Sequence, residues 1–231
     1  MDIILIAGLW LPASIWADVA SELETLGHRP LPVSLPGVDD GSATLNDQLA
    51  AVLAVVDTAE RPLVVGHSAA STLAWLVADR RPEEIAGAVM VGGFPATNGS
   101  RYADFFPTVD ALMPFPGWEP FAGPDSDDLD DNARTRIESI AVPVPEGVSK
   151  GIVEVSDDRR FDVPVFLVCP EYGPDQAKAW LDAGEIAELQ PAKNVSFIDI
   201  GSGHWPMVTQ PAQLARLLDE ATKVVGSKTR S

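Results

Sequence analysis

Residues 63–70 read Leu-Val-Val-Gly-His-Ser-Ala-Ala, an apolar run that leads into small residues around one serine. The apolar run is predicted to form a buried strand, and the residues that follow, 69–79, are predicted to form a helix. A serine between a strand and a helix, with Gly66 and Ala70 beside it, is typical of the sharp turn that lifts a nucleophile above a sheet. A serine at this position can also simply cap the helix, so Ser68 requires a partner elsewhere in the chain.

Strands and helices alternate on both sides of this turn. Continuous apolar strands that alternate with amphipathic helices predict an α/β fold, in which a mostly parallel sheet is covered by helices on both faces. Ser14 is expected to cap the first helix. The predicted strands are 3–7, 28–35, 63–65, 85–91, 163–169 and 195–200, and the predicted helices are 14–26, 45–56, 69–79, 175–181 and 211–225.

The segment 92–160 breaks this alternation. It contains many prolines and aromatic residues and an acidic run at 125–131, which we interpret as a solvated rim. It is too long for an ordinary connection, and a disordered linker would carry fewer aromatic side chains, so we predict a small cap over the sheet. The predicted organisation is one core formed by residues 1–93 and 161–226, an inserted cap at 94–160 and a flexible tail at 227–231.

The composition restricts the partners and the compartment. A formal charge of -18, from 34 acidic and 16 basic residues, repels phosphate backbones and anionic lipids, so we expect neither nucleic acid nor a membrane as a partner. The single cysteine, Cys169, excludes an internal disulfide and a cysteine metal cluster, and it fits a cytoplasmic location. Residues 3–7 follow an acid and are interpreted as a strand rather than a signal peptide, and no apolar run approaches the ~20 residues of a membrane span.

The histidines provide the candidate base for Ser68. A serine hydroxyl is a weak nucleophile at neutral pH and needs a base nearby. Of the three histidines, His28 begins a predicted strand and is interpreted as a surface residue, whereas His67 is interpreted as shaping the serine turn. His204 follows the last predicted strand through Gly201-Ser202-Gly203, at the strand end where parallel sheets carry their sites. We therefore predict that His204 is the general base.

These features together resemble the α/β-hydrolase family, in particular its small serine esterases and hydroxynitrile lyases. The resemblance covers nearly all of the chain except the cap, and the order of serine first and histidine last is the order of that family. Residues 8–10 and 14–16 resemble its oxyanion turn and first helix, although Ala7 stands where the family usually has histidine. Pro36-Gly37 resembles a family turn, and Gly203-His204-Trp205-Pro206 resembles its Gly-His-Phe-Pro ending.

The resemblance implies further site residues. The backbone N–H groups of Leu9 and Ala69 would form the oxyanion hole, which requires no particular side chain at either position. Trp10 and Trp118 are expected at the substrate pocket, although a packing role suits these two indoles equally well. No metal and no cofactor are expected.

The sequence leaves open which acid supports His204. The family's acid comes a few residues after the strand that ends at Cys169, where Gly173 stands in this chain. Asp175 lies 29 residues before His204, but it follows a proline and suits the first turn of a helix. Glu171 lies at the strand end, where its extra methylene can offset its early position, so we favour it. A site with a weak or absent acid is a third alternative, because the acid orients the histidine and does not take its proton.

The function expected from these residues is hydrolysis of a small carboxylic ester or lactone through an acyl-serine intermediate. One alternative is a cofactor-free lyase that uses the same serine and histidine, and another is a ligand-binding protein on the same scaffold. Such lyases are expected to place a lysine near the site, and no lysine stands in a predicted catalytic loop, so hydrolysis is favoured. The cap aromatics favour an apolar acyl or alcohol group in the substrate.

Overall fold

A six-stranded parallel sheet lies at the centre of the computed structural model, which describes residues 1–37 and 42–227. The strands in chain order are β1 (Asp2–Ile6), β2 (Arg29–Pro32), β3 (Leu63–His67), β4 (Gly87–Val91), β5 (Leu112–Met113), β6 (Val144–Pro145), β7 (Val165–Cys169) and β8 (Val195–Asp199). The central sheet has the order β2-β1-β3-β4-β7-β8, and β5 pairs antiparallel with β6 outside it. The strand that precedes Ser68 is therefore an interior strand of the sheet.

Helices cover both faces of this sheet. The helices of the described ranges are α1 (Ala17–Thr25), α2 (Leu45–Val56), α3 (Ala70–Arg80), α4 (Asp131–Ile140), α5 (Glu146–Ser149), α6 (Pro174–Asp182), α7 (Pro206–Thr209) and α8 (Pro211–Ser227). Helices α1 and α8 pack together on one face, and α2 and α3 pack together on the other. None of the helices within residues 1–37 and 42–227 has the length and apolar character of a bilayer span.

The interior strands β1, β3, β4 and β7 are almost entirely apolar because both of their faces are buried. In β1, Ile4 and Ile6 belong to the core beneath α2 and α3, whereas Ile3 and Leu5 belong to the core beneath α1 and α8. Successive side chains of a strand point to opposite faces, so a strand between two helical layers needs apolar residues at every position. The predicted α/β fold with a parallel sheet covered on both faces is confirmed.

Two local expectations differ from the structure, and a third falls almost entirely outside the described residues. The stretch 28–35 forms only the four-residue strand β2, because its two prolines lack an N–H for the ladder and restrict it to the sheet edge. The first helix begins as a 3-10 turn at Ala13 with Pro12 before it and no side-chain cap, so the capping role expected of Ser14 is wrong. The predicted tail at 227–231 lies outside the described residues, except for Ser227, which ends α8.

The segment predicted as a cap contains β5, β6, α4 and α5. Its aromatic side chains pack on Trp10, which follows β1 in the core. The centroid distances from the Trp10 ring are 5.7 Å to Phe106, 5.5 Å to Phe115 and 6.1 Å to Phe121. This segment therefore lies against the loop that follows the first strand.

Candidate active site

Ser68 lies in a strained turn between β3 and α3. Its φ of 54° is in the left-handed region, which non-glycine residues rarely adopt. The turn is possible because two positions packed against it are glycines. A Cβ on Gly66 would overlap the carbonyl of Ala70, and a Cβ on Gly93 would overlap the carbonyl of Ser68. The chain thus holds the serine hydroxyl at the carboxyl end of the sheet, at a cost in backbone strain.

Ser68, His204 and Glu171 form a hydrogen-bonded chain. The Oγ of Ser68 is 2.9 Å from Nε2 of His204, and Nδ1 of His204 is 2.8 Å from Oε1 of Glu171. The side chains of His204 and Glu171 are only 13% and 14% exposed. With the Nδ1–H donated to the carboxylate, Nε2 has a free lone pair that can accept the serine proton.

The structure brings Glu171 to His204 and leaves Asp175 elsewhere. Glu171 follows β7 after one intervening residue, so its carboxylate lies at the end of the sheet where His204 also lies. Asp175 is exposed in the first turn of α6, and no hydrogen bond joins it to His204. The second carboxylate oxygen of Glu171, Oε2, is buried and accepts no hydrogen bond from the described residues.

The N–H groups of Leu9 and Ala69 are positioned beside this chain. Ala69 directly follows Ser68, and Leu9 belongs to the loop after β1. That loop approaches the serine turn closely, since a Cβ on Gly8 would lie 3.2 Å from the Cβ of Ser68. Neither N–H donates a hydrogen bond to another described residue.

His67 contacts the main chain of His204 from the core side. Its Nε2–H donates to the His204 carbonyl at 2.7 Å, and the two rings are 4.9 Å apart. Burial, and then the neighbouring His204, lower the pKa of His67 to about 3, so this imidazole is neutral at physiological pH. His28 is also more buried than expected of a surface residue, because its side chain is 9% exposed and bonds to Asp219.

Two residues of the acidic run contact the histidine loop. The carbonyl of Asp125 accepts from the N–H of His204 at 2.7 Å, and the carboxylate of Asp128 accepts from the N–H of Gly203 at 2.8 Å. A Cβ on Gly203 would overlap the Asp125 carbonyl oxygen and Oδ1 of Asp128, the other oxygen of that carboxylate. The run is therefore more than a solvated rim, because the exposed Asp128 and the half-buried Asp125 also accept hydrogen bonds from the histidine loop.

An apolar cleft opens above Ser68, with a volume of about 200 Å³. Trp10 lines it, as expected, whereas Trp118 packs behind Trp205 at a centroid distance of 5.2 Å and does not reach it. Sequence reasoning missed Trp205, whose position directly after His204 was the available signal. The cleft is lined by Leu9, Trp10, His67, Ser68, Phe105, Phe106, Phe121, His204 and Trp205.

Cys169 is a core residue. Burial raises the pKa of its thiol to about 11, and the thiol lies 3.4 Å from the carbonyl of Leu167, to which it donates. It is therefore protonated at neutral pH and unsuited to nucleophilic attack. No group of three or more histidine, cysteine, aspartate or glutamate side chains in residues 1–37 and 42–227 is arranged to hold a metal ion.

A parallel sheet with a serine on a strained turn after an interior strand is the architecture of an α/β hydrolase. Residues 3–217 match the sequence model described as the alpha/beta hydrolase family, and the chain belongs to this family. No functionally curated protein matches the chain.

Solved structures share this fold over almost the whole chain. An extracellular alpha/beta-hydrolase from a Paenibacillus species, described as a structural and functional homologue of tobacco salicylic acid binding protein 2, is 19% identical, with 96% of this chain and 98% of that chain covered and a TM-score of 0.76. A methylesterase from Arabidopsis is 13% identical, with coverages of 97% and 99% and a TM-score of 0.76. Tomato methylketone synthase I, in complex with β-ketoheptanoate, is 16% identical, with coverages of 97% and 97% and a TM-score of 0.71. At these identities, the likeness is one of fold.

Proposed function

We propose that the protein is a serine hydrolase that cleaves a small carboxylic ester or lactone through an acyl-serine intermediate. One observation carries the proposal: Ser68, His204 and Glu171 are joined by hydrogen bonds of 2.9 Å and 2.8 Å at a strained turn. A serine linked to a base, which is in turn oriented by a third group, is the arrangement that nucleophilic catalysis requires.

In the first half-reaction, the Oγ of Ser68 attacks the carbonyl carbon of the substrate while Nε2 of His204 takes the hydroxyl proton. Glu171 stabilises the imidazolium that forms, through the hydrogen bond from Nδ1. The developing oxyanion accepts hydrogen bonds from the N–H groups of Leu9 and Ala69, and each such donor typically contributes about 3 kcal/mol to transition-state stabilisation. His204 then returns the proton to the leaving alcohol, and the acyl group remains on Ser68.

In the second half-reaction, water replaces the alcohol. Nε2 of His204 takes a proton from the water as the water attacks the acyl carbon, and the same two N–H groups hold the second oxyanion. Collapse of this intermediate transfers the proton to Ser68 and releases the carboxylic acid. No cofactor enters either half-reaction.

The cleft favours an uncharged, apolar substrate. Apart from the serine and the two histidines, its lining is made of leucine, phenylalanine and tryptophan. A substrate group with a permanent charge would lose hydration there without a charged partner. The net charge of -18 also disfavours anionic substrates and nucleic acid. The name of the Arabidopsis methylesterase supports ester cleavage on this fold.

The main enzymatic alternative is a cofactor-free lyase, and tomato methylketone synthase I is a protein of this fold whose name describes something other than ester hydrolysis. A lysine at the cleft would favour a lyase. The lysines of the described chain pair with acids, and none lines the cleft: Lys150 with Glu146, Lys178 with Asp182, Lys193 with Asp162 and Lys223 with Asp219. This placement favours hydrolysis.

The proposal is tested by treating the protein and its Ser68→Ala variant with a fluorophosphonate probe, which forms a covalent bond with an activated serine. We expect the parent and a Ser21→Ala control to be labelled, and the Ser68→Ala variant to remain unlabelled with its fold intact. An unlabelled parent would contradict nucleophilic catalysis and favour a ligand-binding protein.

A panel of p-nitrophenyl esters and lactones of varied acyl length then distinguishes a hydrolase from a lyase. We expect turnover that falls at least about 10³-fold in the Ser68→Ala variant. Cleavage of cyanohydrins, together with no turnover of any ester or lactone, would replace the hydrolase with a lyase.

A further inference from the structure

We infer that Asp128, an acid of the predicted cap, is a positioning residue for His204. The inference rests on the proposed function, because it concerns the same histidine. Through Asp128, the predicted cap helps to align the reacting groups, in addition to contributing side chains to the cleft.

The loop that carries His204 has few contacts of its own. It follows β8, which is the edge strand of the sheet, so a neighbouring strand lies on one side only. Its sequence before His204 is Gly201-Ser202-Gly203, in which Gly201 has a φ of 58° and the Ser202 hydroxyl donates to the adjacent carbonyl of Gly203. Glycine makes such a loop conformationally free unless other segments fix it.

Other segments fix this loop by three hydrogen bonds to its main chain. His67 donates to the His204 carbonyl from the core, and the carbonyl of Asp125 accepts from the His204 N–H. The third bond joins the Gly203 N–H to the Asp128 carboxylate at 2.8 Å. Two of the three therefore come from the acidic run, and of these two only the bond from Asp128 involves a side chain, which can be removed by substitution.

The acidic run is itself held in place. Arg134 donates to the carbonyl of Ser126 at 2.8 Å, and the guanidinium lies 5.5 Å from the centroid of the Trp118 ring. Ser126 and Leu129 are buried at 1% and 5% exposure. Because the segment around Asp128 is anchored by these contacts, its carboxylate can restrain the histidine loop.

The space between the run and the loop is filled. No side chain larger than that of glycine fits at position 203, because a Cβ there would overlap the Asp128 carboxylate and the Asp125 carbonyl. A hydrogen bond to an ionised acceptor is shorter and stronger than one between neutral groups. The chain thus places a charge-assisted hydrogen bond one residue before the imidazole that accepts the serine proton.

Loss of this bond is expected to affect the chemical step more than substrate binding. A displacement of about 1 Å in a catalytic group can cost ~10²-fold in rate. We expect the loss of one of three hydrogen bonds to displace His204 by less than this, and therefore to lower the rate by a smaller factor. Asp128 does not line the cleft, so it makes no contact with a bound substrate. We therefore expect kcat to fall while KM is preserved.

The experiment compares Asp128→Ala, Asp128→Asn and Asp127→Ala in steady-state ester hydrolysis. Asn retains an oxygen that accepts from the Gly203 N–H, and Asp127 is an exposed acid one residue away. We expect kcat to fall roughly tenfold in Asp128→Ala with KM within about twofold of the parent, and to recover to within about threefold in Asp128→Asn. Asp127→Ala should match the parent.

A merely structural role would lower the thermal midpoint and leave kcat of the folded protein unchanged. That result would overturn the inference, as would an Asp128→Asn variant as impaired as Asp128→Ala, or an Asp127→Ala variant with the same loss.

A second measurement does not depend on turnover. With only three histidines in the chain, the ring nitrogen signals of His204 can be assigned by NMR from single histidine substitutions. We expect Asp128→Ala to shift or broaden the His204 signals and to leave those of His28 unchanged. If the parent hydrolyses no ester, the proposed function fails, and a shifted His204 signal still supports the positioning role. Unchanged His204 signals would overturn it.

Discussion

The Nε2 of His67 lies 2.7 Å from the main-chain oxygen of His204, so one buried histidine holds the peptide group of the other. Burial disfavours the charged form of the His67 ring and is the largest cause of the fall in its pKa from 6.5 to about 3. The folded protein therefore holds this ring in its neutral form. Between these two values the unfolded chain binds a proton that the folded chain does not bind. The contribution of the neutral His67 to the free energy of unfolding is therefore complete above pH 6.5 and is lost as the pH falls towards 3.

We expect His67→Gln, which keeps a side-chain N–H donor without a titrating ring, to weaken this pH dependence. The contribution of His67 to the slope is at most about 1.4 kcal/mol per pH unit. Urea unfolding of the parent and the variant at pH 7 and pH 5 measures it. Because both proteins contain the same carboxylates, the difference between their slopes isolates His67. Equal slopes in the two proteins would contradict a neutral buried imidazole.

Glu171→Gln should reduce turnover far more than Asp175→Asn. In the proposed mechanism the Glu171 carboxylate fixes the His204 tautomer and stabilises the imidazolium, and an amide cannot do the latter, so kcat should fall by roughly 10²- to 10⁴-fold. Asp175 is exposed on α6 and its variant should retain kcat within about twofold. Steady-state kinetics on one ester decides between them, and a larger loss in Asp175→Asn would refute our choice of acid.

Gly93→Ala should destabilise the fold because the new methyl group would overlap the main chain at Ser68. Forced overlap of this kind typically costs about 1–3 kcal/mol. Gly173→Ala is the matched control, since it adds the same methyl group where no atom lies within 4 Å. Chemical denaturation measures both, and equal free energies of unfolding for the two variants would argue against the tight turn.

Phe105→Ala should alter substrate preference without loss of stability. Phe105 is 64% exposed yet lines the cleft, so its ring is available to an apolar group that extends towards solvent. We expect kcat/KM to fall for long-chain esters and to stay unchanged for acetate esters, with unfolding free energy within about 0.5 kcal/mol of the parent. Val109→Ala removes a similarly exposed apolar group, 62% exposed, that does not line the cleft. An equal loss in both variants would exclude a specific contact by Phe105.

The fold was predictable because its signals are local. Residues 63–65 and 163–169 are apolar at every position, and this pattern alone indicates strands buried on both faces. The strands β5 and β6 gave no such signal, because each has only two residues and the two pair across thirty residues of intervening chain. Pairing at that separation depends on the tertiary structure and not on the composition of either segment.

The site was predictable in proportion to how local its contacts are. Ser68 stands in a recognisable turn, and His204 stands in a recognisable loop. The sequence favoured Glu171 over Asp175 only slightly, because the choice depends on which carboxylate reaches His204 across the end of the sheet. The bond from Asp128 to Gly203 was not predictable, since nothing in an acidic run indicates which carboxylate meets a distant N–H.

Segment 94–160, which contributes Phe105, Phe106 and Phe121 to the cleft, also holds Trp10. The Trp10 carbonyl accepts from the N–H of Val142 at 2.9 Å, and its indole N–H donates to the carbonyl of Met113 at 3.1 Å. Trp10 is the neighbour of Leu9, so this segment is attached to the loop at one side of Ser68 as well as to the loop of His204 at the other. Replacement of residues 94–160 by the corresponding segment of another family member would therefore disturb rate and selectivity together. Engineering of substrate range in this protein is better directed at single cleft residues than at exchange of the whole insertion.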